Sequence, residues 1–321
     1  MTSSPSCGVR AMHERVDIAE AYGRALVELG RTNSRIVVVD ADISDSCATE
    51  EFHRQFPERS FDVGVAEATL VSYGAGLALG GKIPFVNTFA CFITSRALDQ
   101  IRATIAYGRL NVKLVGAASG LSLGYAGPSH HSIEDIALMR VLPNMVILSP
   151  ADVTETRALV RAAAEYQGPV YLRLSRQATP PIYPADQCFE LGKAVILRQG
   201  RDVSLIATGD MVVKALSAAE QLISRGIDAE VVDVHTLKPI DAETIVRSAL
   251  KTHAIVTAED HSIVGGLGSA VAEILAEHAS VPMRRIGIQD TFTGSDETEV
   301  LRAAFHLGIE DIVKAAQELV K

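Results

Sequence analysis

The sequence predicts an α/β fold built from two parallel-sheet domains, and three observations carry that prediction. Short β-branched runs alternate with helical patterns along the chain, a proline-rich stretch interrupts them, and the alternation then starts again. The first set of runs is RIVVVDA from Arg35, KIPFVNTFA from Lys82, NVKLVGAA from Asn111, NMVILSP from Asn144 and PVYLRLSR from Pro169. Continuous apolar runs with helices between them are what strands covered on both faces require. The stretch QATPPIYPADQCFELGK, from Gln177, holds three prolines within five positions. Proline removes a backbone donor and favours extended chain, so a linker is expected there. Beyond it VSLIATG, AEVVDVHTL, HAIVTAED and MRRIGI read as strands, separated by helices such as MVVKALSAAEQLISRG and DAETIVRSALKTH. The expected domains are residues 1–185 and a smaller one over 186–321.

Composition narrows the function. A chain of 321 residues with 48% hydrophobic residues can hold two sizeable cores. The net charge of −9 and the lack of a basic patch point away from nucleic acid and from anionic membrane surfaces. No apolar run reaches the roughly 18 to 20 residues of a membrane span, and MTSSPSCGVRAMHERVD lacks the apolar centre of a signal peptide. Cys7, Cys47, Cys91 and Cys188 are far apart and form no CxxC pair, which disfavours a zinc site or a disulfide framework. A cytoplasmic enzyme acting on a small molecule fits these bounds.

Three stretches carry the chemistry. FDVGVAEATLVSYGAGLALGG, from Phe61, sets Glu67 in a run of small and apolar residues. A buried unpaired carboxylate there costs several kcal/mol, so Glu67 is exposed, paired or functional; an acid favoured by the dipole of a helix start is the plain alternative. GAGLALGG departs from a dinucleotide fingerprint in its third glycine, and tight packing around Gly74, Gly76 and Gly80 is the better reading. GGLGSAV, from Gly265, does the same or opens a helix. NTFACFITSRALDQIR places Phe89 and Phe92 three apart, either as core or as a platform for a flat heteroaromatic ring. SGLSLGYAGPSHHSIED is a glycine-rich loop carrying His130 and His131.

GVAEATLVSYGAGLAL, NTFACFITSRALDQIR, GPSHHSIEDIALMRVLPNM and GPVYLRLSRQ, in this order and spacing, resemble the C-terminal half of transketolases, and above all the separate C-terminal subunit of split transketolases. The resemblance runs from about Val16 to the C-terminus. It implies a thiamine diphosphate enzyme whose pyrimidine-binding domain is followed by a transketolase C-terminal domain. It gives Glu67 the acid that hydrogen-bonds a ring nitrogen of the aminopyrimidine, kept protonated by an apolar setting so that it favours the imino form which deprotonates the thiazolium. Phe89 and Phe92 match the aromatics around that ring, and Asp42 an acid near the thiazolium. Ser46 and Arg176 match substrate-phosphate ligands, a task suited to a bidentate guanidinium. His130 matches the histidine of the family's GPTH motif, which contacts substrate oxygens and helps proton transfer.

The departures concern substrate. The acidic pair that usually precedes GPTH is Tyr125 and Ala126 here; Ala19 replaces a phosphate-binding arginine, and Ala118 stands where many members carry a histidine. An unusual or carrier-bound acceptor is therefore expected beside the ketose donor. The family holds the diphosphate through Mg2+ or Ca2+ at a GDG motif followed by asparagine. This sequence has no GDG, and its nearest pair, Gly209 and Asp210, follows the last asparagine, Asn144. The resemblance therefore implies an N-terminal partner subunit carrying GDG and asparagine, in an α2β2 heterotetramer with the cofactor at the interface. Two other readings share much of the pattern: the beta subunit of a 2-oxo-acid dehydrogenase decarboxylase component, and a degenerate scaffolding subunit. A fragment of 1-deoxyxylulose phosphate synthase is third. The role of His261, in AEDHSIVGG, stays open between interface and catalysis.

Overall fold

The computed structural model describes residues 16–320, so Cys7 and all but the last two residues of the stretch read for a signal peptide lie outside it. The first domain carries β1 (Val16–Asp17), β2 (Ile36–Asp40), β3 (Ser60–Asp62), β4 (Ile83–Phe89), β5 (Lys113–Ala117), β6 (Val146–Leu148), β7 (Val170–Arg173) and β8 (Ala178–Thr179). The second carries β9 (Val195–Arg198), β10 (Val203–Ala207), β11 (Ala229–Asp233), β12 (Thr236–Lys238), β13 (Ile255–Ser262) and β14 (Met283–Ile288). Each apolar run named above forms a strand, and β2, β5, β7, β10 and β11 are buried along their length.

Two sheets follow, with strand orders β12-β6-β7-β5-β4-β2-β3 and β14-β13-β10-β11-β9, and a small antiparallel pair joins β1 to β8. The central strands of both large sheets are parallel, while β12 and β9 add antiparallel edges, so the sheets are mixed. AEVVDVHTL, read as one strand, is two: β11 stays in the second sheet, whereas β12 crosses to the first and pairs with β6. Between them the Val234 amide donates to Ala207 O at 2.9 Å, and the Ser149 amide donates to His235 O at 2.9 Å. These two bonds tie the crossing to both sheets, and a continuous apolar run carries no sign of such a crossing.

The domains are joined by packing as well as by chain. One apolar cluster extends from Ile101, Leu114 and Met139 in the first to Ile206, Val232 and Ile245 in the second. The linker is pinned on both sides: Asp152 Oδ2 accepts the amides of Ile182 (2.7 Å) and Tyr183 (2.9 Å), and Tyr183 OH donates to Asp233 Oδ2 at 2.6 Å.

The glycine reading divides. A side chain at Gly74 meets Val86 Cγ2 at 2.5 Å, so that glycine seats the helix Glu67–Leu79 on β4. Among the described residues Gly76 faces open space and Gly80 meets only its own helix end, so packing among them requires neither. Gly266 opens the helix Leu267–His278, whose first amides, Leu267 and Gly268, donate to Glu259 at 2.6 and 2.8 Å.

Candidate active site

Five parallel strands lie side by side in the order β7, β5, β4, β2, β3, so their carboxyl ends share one edge of the sheet. In such sheets ligands settle in the crevice beyond those ends. Each strand delivers at least one of the residues singled out above. Arg176 follows β7, the loop of His130 follows β5, Phe89 ends β4 with Phe92 one helical turn on, Asp42 and Ser46 follow β2, and Glu67 follows β3.

The residues nearest the middle touch. Phe89 and Phe92 stand edge to face with ring centres 5.9 Å apart, and the His130 ring lies 5.8 Å from Phe89 and 5.0 Å from Phe92. Neither phenylalanine is sealed into the core. Glu67 opens its helix without a side-chain cap and is only 5% exposed, yet it is not unpaired. Arg96 Nη1 donates to Glu67 Oε1 at 2.9 Å, while the guanidinium carbon of Arg96 sits 3.8 Å from the centre of the Phe92 ring. Arg96 therefore links the carboxylate to the aromatic pair by an ion pair and a cation–π contact. Sequence reasoning missed it, although its spacing of four from Phe92 in a helical run was a usable signal. In this chain Glu67 accepts a hydrogen bond rather than donating one, so the expected donor role requires Arg96 to give way.

The outer residues form a second group. Asp42 is exposed with φ +60°, and its amide donates to Asp62 Oδ1 at 3.1 Å. Arg176 is exposed, and its charge reaches Asp17 and Cys47, beside Ser46. Asp17 caps the helix Ile18–Thr32 by accepting the Ala19 amide at 2.7 Å, so Ala19 lies in the same neighbourhood. Ala118 adopts φ +53° at the root of the His130 loop and is buried. Tyr125, 70% exposed, donates its hydroxyl to Glu297 of the second domain at 3.0 Å.

His131 and His261 are internal struts in this chain. His131 is buried; its Nδ1 bonds Thr293 Oγ1 and its Nε2 bonds Gly124 O at 3.1 Å, which ties the loop to the second domain. His261 is fully buried, and burial drives it down to about 4, so it is neutral near pH 7. Its Nδ1 donates to Ser262 O at 2.7 Å and its Nε2 accepts the Ala137 amide at 3.4 Å.

No helix among the described residues is long and apolar enough to cross a membrane. The transketolase pyrimidine-binding domain matches residues 14–181, and the transketolase C-terminal domain matches residues 192–312. The chain is 44% identical to the 6-deoxy-6-sulfo-D-fructose transketolase subunit of Clostridium sp. (strain MSTE9), across 95% of this chain and 94% of that one. It is 40% identical to an apulose-4-phosphate transketolase subunit of Phocaeicola vulgatus, across 94% and 97%. Among solved structures, one described as a split gene transketolase, inactive beta4 tetramer, superposes with a TM-score of 0.89 and 48% identity, over 95% of this chain and 98% of that one. The chain belongs to the transketolase family, with its pyrimidine-binding and C-terminal domains in that order and the likeness of the separately encoded C-terminal subunits.

Proposed function

We propose that this chain is the C-terminal subunit of a two-component transketolase that moves a two-carbon ketol unit from a ketose donor to an acceptor. The observation that supports it most is the convergence at one sheet edge of Glu67, Phe89, Phe92, His130, Asp42, Ser46 and Arg176 from five adjacent strands. A pyrimidine ring asks for flat apolar walls and a carboxylate at its edge, and Phe89, Phe92 and Glu67 supply both. Thiamine diphosphate, when bound, supplies the nucleophilic carbon that accepts the ketol unit.

The chain's own residues do the rest. Glu67 binds the ring edge, and Arg96, half-exposed, is the partner that carboxylate exchanges for the ligand. His130, packed on the aromatic pair, exchanges protons with substrate oxygens, and its Nδ1 lies 3.0 Å from Ser129 Oγ, which orients the ring. Arg176 and Ser46 hold a phosphate or another anionic group at the outer end. Tyr125 and Ala126 leave that end without the acidic pair, which favours an acceptor other than a common sugar phosphate, either an unusual sugar or a carrier-bound group.

The division at residue 185 into a first domain, 1–185, and a second, 186–321, is part of this reading, and the linker's hold at Tyr183 supports it. The diphosphate and its Mg2+ or Ca2+ belong to an N-terminal partner carrying GDG and asparagine, in an α2β2 heterotetramer, because this chain lacks that motif. The test is ketol transfer by the assembled pair with thiamine diphosphate, Mg2+ and a ketose phosphate. Transfer that disappears in Glu67→Ala supports the reading; a variant as active as the parent makes this chain a scaffold.

A further inference from the structure

The loop carrying His130 and the strand end carrying Arg176 are both tied to one side chain of the second domain. Arg302, in the helix Thr298–Ala304, is 3% exposed. Its Nε and Nη2 donate to Asp260 Oδ2 at 3.2 and 2.7 Å, and Nη2 also donates to Asp210 Oδ2. Asp260 in turn accepts the Leu121 amide, at 3.2 Å from each oxygen. The loop sits directly on this carboxylate: a side chain at Gly120, φ +61°, meets the Asp260 carboxyl carbon at 2.6 Å. On the other arm Ser175 Oγ donates to Asp210 Oδ2 at 3.0 Å and accepts the Gln177 amide at 3.2 Å. Arg176 is thus flanked by two residues whose hydrogen bonds run to Asp210. Gln177 closes the circuit, since its Nε2 donates to Ser122 O in the loop at 3.1 Å.

We propose that Arg302 is a positioning residue that holds the His130 loop and the Arg176 strand end in fixed relation, so that the second domain sets the geometry of a site to which it lends no predicted ligand. A guanidinium suits this task because its planar fork addresses two carboxylates at once, whereas an ammonium is a point charge. Asp260, Asp210 and Ser175 are all nearly sealed from water, where such bonds are strong and directional. The roles of His130 and Arg176 rest on the function proposed above, but the clamp is a property of this chain alone.

Amide hydrogen exchange on the full chain, followed segment by segment, tests the clamp without any ligand. Arg302→Lys is expected to speed exchange at both residues 119–131 and residues 175–177 by about tenfold, the loss of roughly one buried charge-assisted bond at each, while β10 exchanges as in the parent. Ser175→Ala is expected to speed 175–177, and Asp260→Asn to speed 119–131; these milder variants decide the matter if Arg302→Lys fails to fold. Faster exchange throughout the chain, or a change confined to residues 298–304, overturns the proposal. In the assembled pair with fructose 6-phosphate as donor, Ser175→Ala should raise KM several-fold with kcat unchanged; an unchanged KM overturns the link to the site. A parent pair inactive on every ketose tried counts against the proposed function and leaves the exchange result to judge the clamp.

Discussion

The seam between the domains and the edge of strand ends are both rich in charge, yet they treat it in opposite ways. At the seam, the charges around Asp135 are buried and paired inside the fold. Asp135, fully buried, accepts Arg173 Nε and Tyr171 OH, each at 2.8 Å, and Arg173 also donates to Asp260 O at 2.8 Å. At the strand ends, Arg96, Asp42 and Arg176 are half-exposed or exposed, and Glu67 has a single charged partner among the described residues. A buried charge must be matched within the fold, because desolvation costs more than a lone charge recovers. An exposed charge beside aromatic faces carries no such obligation and is free to exchange partners. One region pairs its charges inside the fold; the other leaves them open to exchange.

That contrast can be broken most forcefully at its two ends. Glu67→Ala should lower ketol transfer by the assembled pair by about 10²- to 10⁴-fold, the usual worth of a catalytic acid or base. Its melting temperature should stay close to the parent's, since the partner left behind, Arg96, reaches solvent. Arg173→Met should do the reverse: leaving Asp135 buried without its cation costs about 3–5 kcal/mol, seen as a lower urea midpoint. Equal stability losses for the two variants would erase the distinction.

A subtler prediction concerns the seam's second cluster. Asp233 is pushed up to about 7 by burial, with the bonded Tyr183 hydroxyl and the neighbouring Glu155 carboxyl opposing the rise and Asp152 adding repulsion, and burial also drives Glu155 well above the usual carboxylate range. Asp233 Oδ1 and Glu155 Oε1 are buried with no donor between them, so the pair is best served by a shared proton. A folded pKa raised above the unfolded one gives stability that is complete below about pH 4, the unfolded carboxylate range, and is lost as pH rises through about 7. Urea midpoints measured from pH 5.5 to 8.5 should therefore fall with pH, and Asp233→Asn, which keeps a donor and an acceptor, should flatten the slope.

The smallest contrast lies within one helix. Gly74→Ala drives a methyl against Val86 and should cost about 1–3 kcal/mol by overpacking. Gly76→Ala, facing open space, should gain up to about 1 kcal/mol from helix propensity in the isolated chain. A loss at Gly76 seen only in the assembled protein would map a subunit contact onto that face.

Legibility followed the same division. The strands and the long helices were readable because fully buried parallel strands write themselves as continuous apolar runs. The crossing of β12 into the first sheet was not, since it depends on where a neighbouring edge lies rather than on the run itself. Glu67, Phe89, Phe92 and His130 stood out as residues at odds with their surroundings or linked by motif, and the structure gathers them at one edge. Arg96 and Arg302 did not stand out, because an arginine in a polar helix looks like any solvated surface charge until the fold supplies its partners. The Tyr125 bond to Glu297 joins positions 172 apart, beyond any pattern in the chain.

The central claim is that this chain holds half of a cofactor site. Calorimetric titration of thiamine diphosphate with Mg2+ into the chain alone, and then into the chain assembled with an N-terminal subunit carrying GDG and asparagine, tests it directly. Tight binding by the assembly alone is the predicted result; equally tight binding by the isolated chain would contradict the claim.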